Sequence, residues 1–242
     1  MNSFRIFLVS IFTFLLLSLT FAFDTHGQSA GVGIKAGPNV TTHLQNFRFV
    51  SGDINLNLTP NTTSGFHFGF IYRRHINDSY RFQIEPTILT LGAKYEEGFE
   101  LRGFNFQTES RTELMYIQIP FVFQLSTTPP QRTVYGRQYS NTTYHLTGGA
   151  YMGYLMNARF SGTNTGAPIG IAFAGDFSND VINQYSAFDG GIILGAGLEN
   201  GSSNRTGFEA RMIFSAIDNG ATLDFDFSPQ NLAAVFSIYF LL

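Results

Sequence analysis

Charged residues on the polar faces of apolar segments are the side chains of this sequence most able to do chemistry. Glu209 and Arg211 lie two positions apart, and apolar residues alternate with them. Successive side chains of a strand point to opposite faces, so this pair shares one face. The same alternation predicts a larger group of charges facing one interior: Lys35, Arg73, Glu85, Asp189, Glu209 and Arg211, joined by Arg81 and Glu199.

Opposite charges enclosed in a low-dielectric interior must pair or change their protonation state. We therefore predict that these residues form a network of ion pairs that fixes the register of the strands. The alternative is a narrow path for ions or protons. Because Glu209 and Arg211 are so close along one face, they are the first pair to test by mutation.

No pattern in the sequence indicates an enzyme, and we predict no catalytic residue. His67 and His145 fall on the same faces as the charges, but nothing places a nucleophile beside either ring. A G-x-S-x-G nucleophile elbow does not occur either, although that motif belongs to another fold.

Ligand motifs are equally sparse, and we predict neither a cofactor nor a metal site. The glycine runs at 31–37 and 195–201 miss the dinucleotide-binding spacing by one residue, and neither begins a helix. Asp218, Asp224 and Asp226 give only a weak indication of Ca²⁺ binding. With a net charge of −3, the chain has no basic footprint for nucleic acid.

The elements that must position these residues are strands. Eight segments show the period-two alternation of apolar residues that is typical of strands. The third segment loses its alternation near Leu89, which predicts a β-bulge there. The eight segments are Val32–Val40, Gly65–Ile76, Tyr80–Tyr95, Leu114–Leu125, Tyr144–Phe160, Ala187–Glu199, Gly207–Ser215 and Asn231–Leu242.

The composition indicates that one face of these strands meets lipid. Only 13% of residues are charged, against about 25% in a typical soluble domain, and the chain has 27 Phe and 25 Gly. The faces opposite the apolar residues carry Gly, Thr, Gln and His, which fits a filled polar lumen better than a solvated exterior. We predict an all-β fold, a transmembrane up-and-down antiparallel β-barrel of about eight strands. A soluble β-sandwich or barrel is the alternative.

The N-terminus predicts export. Arg5 precedes an uncharged run from Ile6 to Phe23, and small residues follow, which is the order of a secretory signal peptide. We predict a signal peptide at 1–27 and a barrel domain at 28–242, with cleavage after Ala22 as the competing position. The expected location is the outer membrane of a Gram-negative bacterium, with outer-membrane lipid around the barrel.

The connections alternate between long and short, as they do in membrane barrels with long external loops and short periplasmic turns. Ser126–Thr143 departs from this rule, because it should be a short turn and is long. The long loops carry aromatic residues, so we expect them to pack on each other above the rim and to bind a partner. These residues are Phe47, Phe49, Phe104, Phe106, Phe173 and Phe177.

Several blocks of the sequence together resemble the PorT-like family of outer-membrane β-barrel proteins of Bacteroidota-type bacteria. They include GIKAGPNVT from Gly33, FQIEPTILTLGAKYE from Phe82, ELMYIQIPFVFQL from Glu113, YHLTGGAYMGYLM from Tyr144 and DGGIILGAGLE from Asp189. The resemblance covers nearly all of the chain after the N-terminal run. It implies an eight-stranded barrel in the outer membrane and carries over no catalytic residue. Some members of the family are linked to protein secretion.

We therefore expect a non-enzymatic outer-membrane barrel that acts as an envelope scaffold or binds a partner, with another envelope or secretion protein as that partner. One alternative is a narrow channel or small-ligand transporter, although an eight-stranded barrel is only wide enough for its own side chains. The other is a membrane-embedded enzyme that modifies lipids.

Overall fold

The chain folds into β-strands that form one large antiparallel sheet and two small hairpins. The computed structural model describes residues 30–51, 54–101, 104–127, 133–134, 137–138, 142–167, 173–201, 204–217 and 230–242. No helix within these residues is long and apolar enough to cross a bilayer. The strands are β1 (Ala30–His43), β2 (Phe47–Ser51), β3 (Ile54–Leu58), β4 (Pro60–Asn61), β5 (Thr63–His75), β6 (Tyr80–Ile84), β7 (Thr87–Leu101), β8 (Phe104–Ser126), β9 (Thr133–Val134), β10 (Arg137–Gln138), β11 (Thr143–Gly166), β12 (Phe173–Asp180), β13 (Phe188–Asn200), β14 (Arg205–Ser215) and β15 (Asn231–Leu241).

The main sheet closes on itself. Strand β1 pairs antiparallel with β5 on one side and with the last strand, β15, on the other, so that Ile34 lies between Phe70 and Phe240. The pairing of β8 with β11 completes the ring, whose strands follow one another in chain order. The predicted all-β, up-and-down antiparallel barrel is therefore confirmed.

The main sheet contains eleven strand segments instead of the predicted eight. One additional segment arises because Pro86, which has no backbone N–H to donate, separates β6 from β7. Both segments pair with β5 and with β8, and the register does not change across the interruption. The other two are β4 and β12, which lie in predicted connections; β4 pairs with β7 at Lys94 and Tyr95, and β12 pairs with β11 from Arg159 to Gly166.

An irregularity near Leu89 is present on only one side of β7: pairing with β5 ends at Leu89, and pairing with β4 begins at Lys94 shifted by one residue, with the extra residue between β4 and β5. The pairing of β7 with β8 runs without a shift from Thr87 to Leu101. Alternation is lost because Leu89 and Leu91 are both inward and buried, at 2% and 1% exposure, so the interior itself is apolar at this level. A further register shift lies in β11, between Leu155 and Asn157.

The outside of the barrel is apolar and the inside carries the polar residues. In β15, Ile238 is 66% exposed, while its neighbours Ser237 and Tyr239 are 0% and 2% exposed. In β13, Phe188 is 66% exposed and Asp189 only 2%. A water-soluble barrel has the opposite arrangement, so this exterior is suited to lipid.

The two ends of the barrel differ. The start of β1, the end of β15 and the short turn after β5 lie at one end, which we call the terminal end. At that turn the Asn77 side chain accepts hydrogen bonds from the backbone N–H groups of Ser79 and Tyr80. The long connections lie at the opposite end, the loop end, except Ser126–Thr143, which begins at the terminal end beside Ser79.

An apolar cluster fills the barrel toward the loop end. It includes residues of a connection as well as of the strands, because the segment around the short 3-10 helix Ile182–Gln184 folds inward. The N–H of Val181 donates to the carbonyl of Ala158 at 3.1 Å, and Tyr185 is 7% exposed. We call this cluster the apolar plug: Leu89, Leu91, Leu114, Tyr116, Val122, Tyr151, Leu155, Ala158, Val181, Tyr185, Ile193, Ile213, Ala233 and Val235.

Four strands continue past the plug at the loop end. We call residues 92–101, 104–114, 157–166 and 173–180 of β7, β8, β11 and β12 the rim sheet. Much of it was predicted to be loop, and that prediction is wrong for Phe99–Arg111 and for much of Gly162–Tyr185. Polar residues on the outward face here gave no apolar alternation from which a strand could be identified. The connection before β5 likewise contains a hairpin, β2 with β3.

Several predicted features lie outside the described residues. These are the signal peptide at 1–27, the acidic residues Asp218, Asp224 and Asp226, and the side chains of Phe47, Phe49, Phe104, Phe106 and Phe173. Within the long Ser126–Thr143 connection, the described strands β9 and β10 pair with each other.

Candidate functional sites: the charged lumen and the rim sheet

Ion pairs link distant strands in the middle of the barrel. Glu85 accepts two hydrogen bonds from Arg211, at 2.6 and 2.7 Å, and one from Lys35 at 2.5 Å. Arg211 also donates to Glu209 at 2.7 Å. None of these four side chains is more than 5% exposed. We call Lys35, Glu85, Glu209 and Arg211 the central cluster, and its two positive and two negative charges balance.

Hydroxyl and imidazole side chains complete the surroundings of the central cluster. The Thr147 hydroxyl donates a short hydrogen bond to Glu209, and His145 Nε2 lies 3.6 Å from the same carboxylate. His67 Nε2 and the hydroxyl of Ser237 are hydrogen bonded at 2.9 Å, so the expectation that no nucleophile lies beside either histidine is wrong for His67. Both predicted lumen histidines therefore lie inside the barrel, within a polar layer that spans several strands.

A second group of charges lies nearer the terminal end. Glu199 accepts hydrogen bonds from Arg73 at 2.6 Å, from Arg205 at 2.6 Å, and from Arg81. The hydroxyl of Tyr239 also donates to Glu199, at 3.1 Å, and Arg73 lies over the Tyr239 ring, 5.6 Å from its centroid. We call Arg73, Arg81, Glu199, Arg205 and Tyr239 the terminal cluster. It carries three positive charges and one negative charge.

A glycine makes room for the terminal cluster. A Cβ atom on Gly207 would lie 2.1 Å from Cζ of Tyr239, so the tyrosine ring occupies the space of the missing side chain. This close approach brings the ring across the lumen to Arg73 and Glu199.

Asp189 behaves differently from the other predicted charges. It is 2% exposed and accepts hydrogen bonds from the hydroxyls of Ser215 at 2.6 Å and Tyr151 at 3.1 Å. Among the described residues it has no ion pair with a cationic side chain. Its hydrogen-bond donors are hydroxyl groups at the level of the apolar plug.

The structure thus brings most of the predicted lumen charges into contact. Lys35, Glu85, Glu209 and Arg211 meet in the central cluster, Arg73 meets Glu199 in the terminal cluster, and Asp189 stands apart. Arg205 was not predicted, because it precedes the first apolar residue of its segment. Arg205 lies an even number of residues from Glu209 and Arg211, so strand alternation places it on the same inward face. That spacing was the signal that could have identified it.

The lumen is occupied by its own side chains at every level described. Polar clusters fill the terminal half, and the apolar plug fills the loop half. Above the plug, His43 Nδ1 is hydrogen bonded to the Tyr95 hydroxyl at 2.7 Å, and the His43 and Tyr185 rings lie 6.4 Å apart. Burial raises the pKa of Tyr185 to about 12, so this residue of the connection is neutral at physiological pH. Among the described residues no group of three His, Cys, Asp or Glu side chains could hold a metal ion.

The rim sheet is the second candidate site. Its outward face carries alternating charges, with ion pairs Lys94–Glu96 at 2.6 Å and Arg111–Glu113 at 3.0 Å. Its inward face is held by packing, since the Phe160 and Phe177 rings lie 5.4 Å apart. Phe177 is the predicted loop aromatic whose side chain is described, and its ring packs on a strand residue, Phe160, instead of on another loop.

One edge of the rim sheet is open. Strand β12 pairs with β11 on one side, and on its other side no strand is paired in the part of the chain that the structure describes. The opposite edge is partly covered, because β4 pairs with β7 at Tyr95 and Lys94. An open edge presents unpaired backbone N–H and C=O groups to another chain.

Two crystal structures of Ail, the attachment invasion locus protein of Yersinia pestis, are similar to this chain, one of them in complex with the heparin analogue sucrose octasulfate. They share 13% and 14% sequence identity with it, each with a TM-score of 0.31, and the alignments cover 88% of this chain and 99% of Ail. No curated protein is significantly similar to the chain.

The sequence of the chain matches a protein family over most of its length. The outer membrane protein beta-barrel domain family matches residues 25–219, which include most strands of the closed sheet. The apolar exterior and polar lumen described above are what an outer-membrane location requires. Because the match spans well over half of the sequence, the chain belongs to the outer membrane protein beta-barrel domain family.

Proposed function

We propose that this outer-membrane protein is a non-enzymatic, partner-binding component of the envelope, and that the rim sheet is its binding surface. The observation that supports this proposal is the continuation of four paired strands past the lipid-facing band. Among the described residues, the interior of the barrel offers no route through the membrane. We therefore assign the binding function to the rim sheet, which projects beyond the membrane.

The lengths of the strands show how far they project. Strand β11 has 24 residues and β8 has 23. A tilted strand crosses the hydrocarbon core in about 9–11 residues. Each of these strands is therefore about twice as long as membrane crossing requires.

The outward-facing side chains mark where the lipid ends. In β8 they are apolar from Leu125 to Met115 and become charged at Glu113, Arg111 and Glu109. In β11 they are mostly apolar up to Met156, after which the exposed residues include Arg159. The rim sheet consequently lies in water, on the side where membrane barrels have long extracellular loops.

The open edge of β12 suggests how a partner would bind. An extended segment can add a strand to such an edge, with main-chain hydrogen bonds giving affinity and side chains giving specificity. Natural edge strands are commonly protected by lysine or proline, and Phe173–Asp180 contains neither. A protein partner with an extended segment, such as another envelope or secretion protein, fits this edge.

The resemblance to PorT-like proteins, some of which are linked to protein secretion, suggests the identity of that partner. It favours a partner that takes part in protein secretion. Export through a cleaved signal peptide is part of the same proposal, since an outer-membrane protein must cross the inner membrane first. The alternatives of a channel and of a lipid-modifying enzyme have less support. Charges and the apolar plug occupy the lumen, and the hydrogen-bonded pair of Ser237 and His67 is buried inside the barrel, at 0% and 1% exposure.

The test is a site-specific photo-crosslinker placed at Ser178 in the chromosomal copy of the gene. We expect a discrete adduct with a protein in intact cells, and we expect Ala174→Lys to abolish it because a lysine on the edge opposes strand addition. The matched control position is Asp78 in the terminal-end turn, where no such adduct should form. An absent adduct at Ser178, or an adduct insensitive to Ala174→Lys, would contradict the proposal.

A further inference from the structure

The terminal cluster has more positive charge than its own residues neutralise. Arg73, Arg81 and Arg205 all donate to the single carboxylate of Glu199, which leaves a formal excess of two positive charges. Among the described residues, Glu199 is the one acidic side chain within ion-pair distance of these guanidinium groups. In the central cluster, by contrast, two cations meet two carboxylates.

The excess charge is buried. Arg73 is 1% exposed and Arg81 is 3% exposed. Part of their hydrogen-bonding capacity is also unused, since Nε and Nη2 of Arg73 and Nε of Arg81 have no hydrogen-bond partner among the described residues. Burying an uncompensated charge is costly, so an arrangement of this kind calls for a counter-charge from outside the chain.

Access to the cluster is through Arg205. Its side chain is 28% exposed, whereas that of Glu199 is 1% exposed. Arg205 begins β14 directly after the turn at the terminal end, the periplasmic end by the rule of short turns. The cluster can thus be reached from the periplasm without passing the apolar plug.

We propose that the terminal cluster is a periplasmic binding site for a phosphate group. Guanidinium groups bind phosphate oxygens through paired, charge-assisted hydrogen bonds. A phosphate monoester carries about −1.5 to −2 charges at pH 7, which matches the excess, whereas a carboxylate would balance only half of it. The phosphate comes either from a free anion of the periplasm or from a lipid headgroup at the inner leaflet of the outer membrane.

The experiment uses the full-length barrel purified from membranes into an uncharged maltoside detergent. Inorganic phosphate is titrated in one arm and micellar phosphatidic acid in the other, with binding followed by phosphorus NMR. We expect saturable binding in at least one arm, and which arm saturates identifies the source. Absence of saturable binding in both arms, at concentrations up to tens of millimolar, would overturn the proposal.

Two variants with the same change of charge separate a built site from general electrostatic attraction. Arg205→Gln removes one partly exposed guanidinium of the cluster, and we expect affinity to fall at least about tenfold, as for the loss of a charge-assisted hydrogen bond. Arg111→Gln removes a guanidinium of the rim sheet, at the other end of the barrel, and should leave affinity unchanged. Both folded barrels are verified by a heat-dependent gel shift. Equal weakening in the two variants would overturn the proposal.

Discussion

Arg211 donates hydrogen bonds to both carboxylate oxygens of Glu85, a residue 126 positions away in the sequence. Glu85 lies in the two-residue gap between β6 and β7, and Arg211 lies in β14. Because Glu85 also accepts from Lys35 of β1, three parts of the ring are joined across the lumen. A slip of either partner strand by one residue would point its charge into lipid. The central cluster therefore specifies register as well as filling space.

Removing one partner of this cluster should destabilise the barrel strongly. Arg211→Met leaves Glu85 and Glu209 buried with Lys35 as the remaining cation of the cluster, and breaking a buried pair costs about 3–5 kcal/mol. The measurement is urea unfolding of the refolded barrel in phospholipid vesicles, followed by the gel shift of the folded form.

The matched control for Arg211→Met is Lys94→Met, which breaks the exposed pair with Glu96. Exposed pairs contribute little, so this variant should unfold as the parent does. The double variant Glu85→Met/Arg211→Met should lose less unfolding free energy than the two single variants lose together. If Arg211→Met unfolded at the same urea concentration as Lys94→Met, the central cluster would have no structural role.

The contact between Gly207 and Tyr239 gives a second prediction. A methyl group at 207 would overlap the ring of Tyr239, so Gly207→Ala should cost about 1–3 kcal/mol of unfolding free energy, as overpacking does. Gly148→Ala is the control, because a Cβ there meets only Leu194 Cδ2 at 3.7 Å. Combining Gly207→Ala with Tyr239→Leu should recover part of the loss. A Gly207→Ala barrel as stable as the Gly148→Ala barrel would show that the ring moves away freely.

The charged lumen could be predicted from sequence because strand alternation is local. The apolar residues beside Lys35, Arg73 and Glu85 show which face of its strand each charge occupies, and this assignment needs no tertiary information. Which charges pair is not local. Glu85 pairs with Arg211 instead of Arg81 or Arg73, its neighbours in sequence. The order of the strands around the ring determines which side chains face each other across the lumen.

The rim sheet and the apolar plug escaped prediction for the same physical reason. Alternation is a signal only where one face is apolar and the other polar. In β7, Leu89 and Leu91 face an apolar interior, and farther along, Lys94 and Glu96 face water, so the pattern inverts at the edge of the lipid. The inward fold of Val181 and Tyr185 depends on contacts with distant strands that no local pattern records.

A charge on the lipid-facing surface should oppose insertion. Ile238 is 66% exposed on the outside of β15, near the middle of that strand's apolar face. Replacement of a lipid-facing residue by lysine costs about 2–4 kcal/mol at the bilayer midplane. We expect Ile238→Lys to reduce the fraction of folded protein in vesicle refolding assays, while Asp78→Lys, at an exposed position of the terminal-end turn, has no effect. Equal refolding of the two variants would mean that Ile238 does not face the hydrocarbon.

The filled lumen predicts an electrically silent protein. An ion entering from the terminal end meets Arg73 and Glu199, then Glu85 and Arg211, and finally side chains such as Leu91 of the apolar plug. The paired charges would have to separate and the plug would have to open, so planar bilayer recordings of the purified barrel should show no stable conductance steps. Leu91→Gly removes a side chain that is 1% exposed, and it should remain silent as long as the ion pairs below it hold. Steady conductance of the unmodified barrel that disappeared with Arg211→Met would instead identify the central cluster as part of an ion path, and the binding function of the rim sheet would then have to be reconsidered.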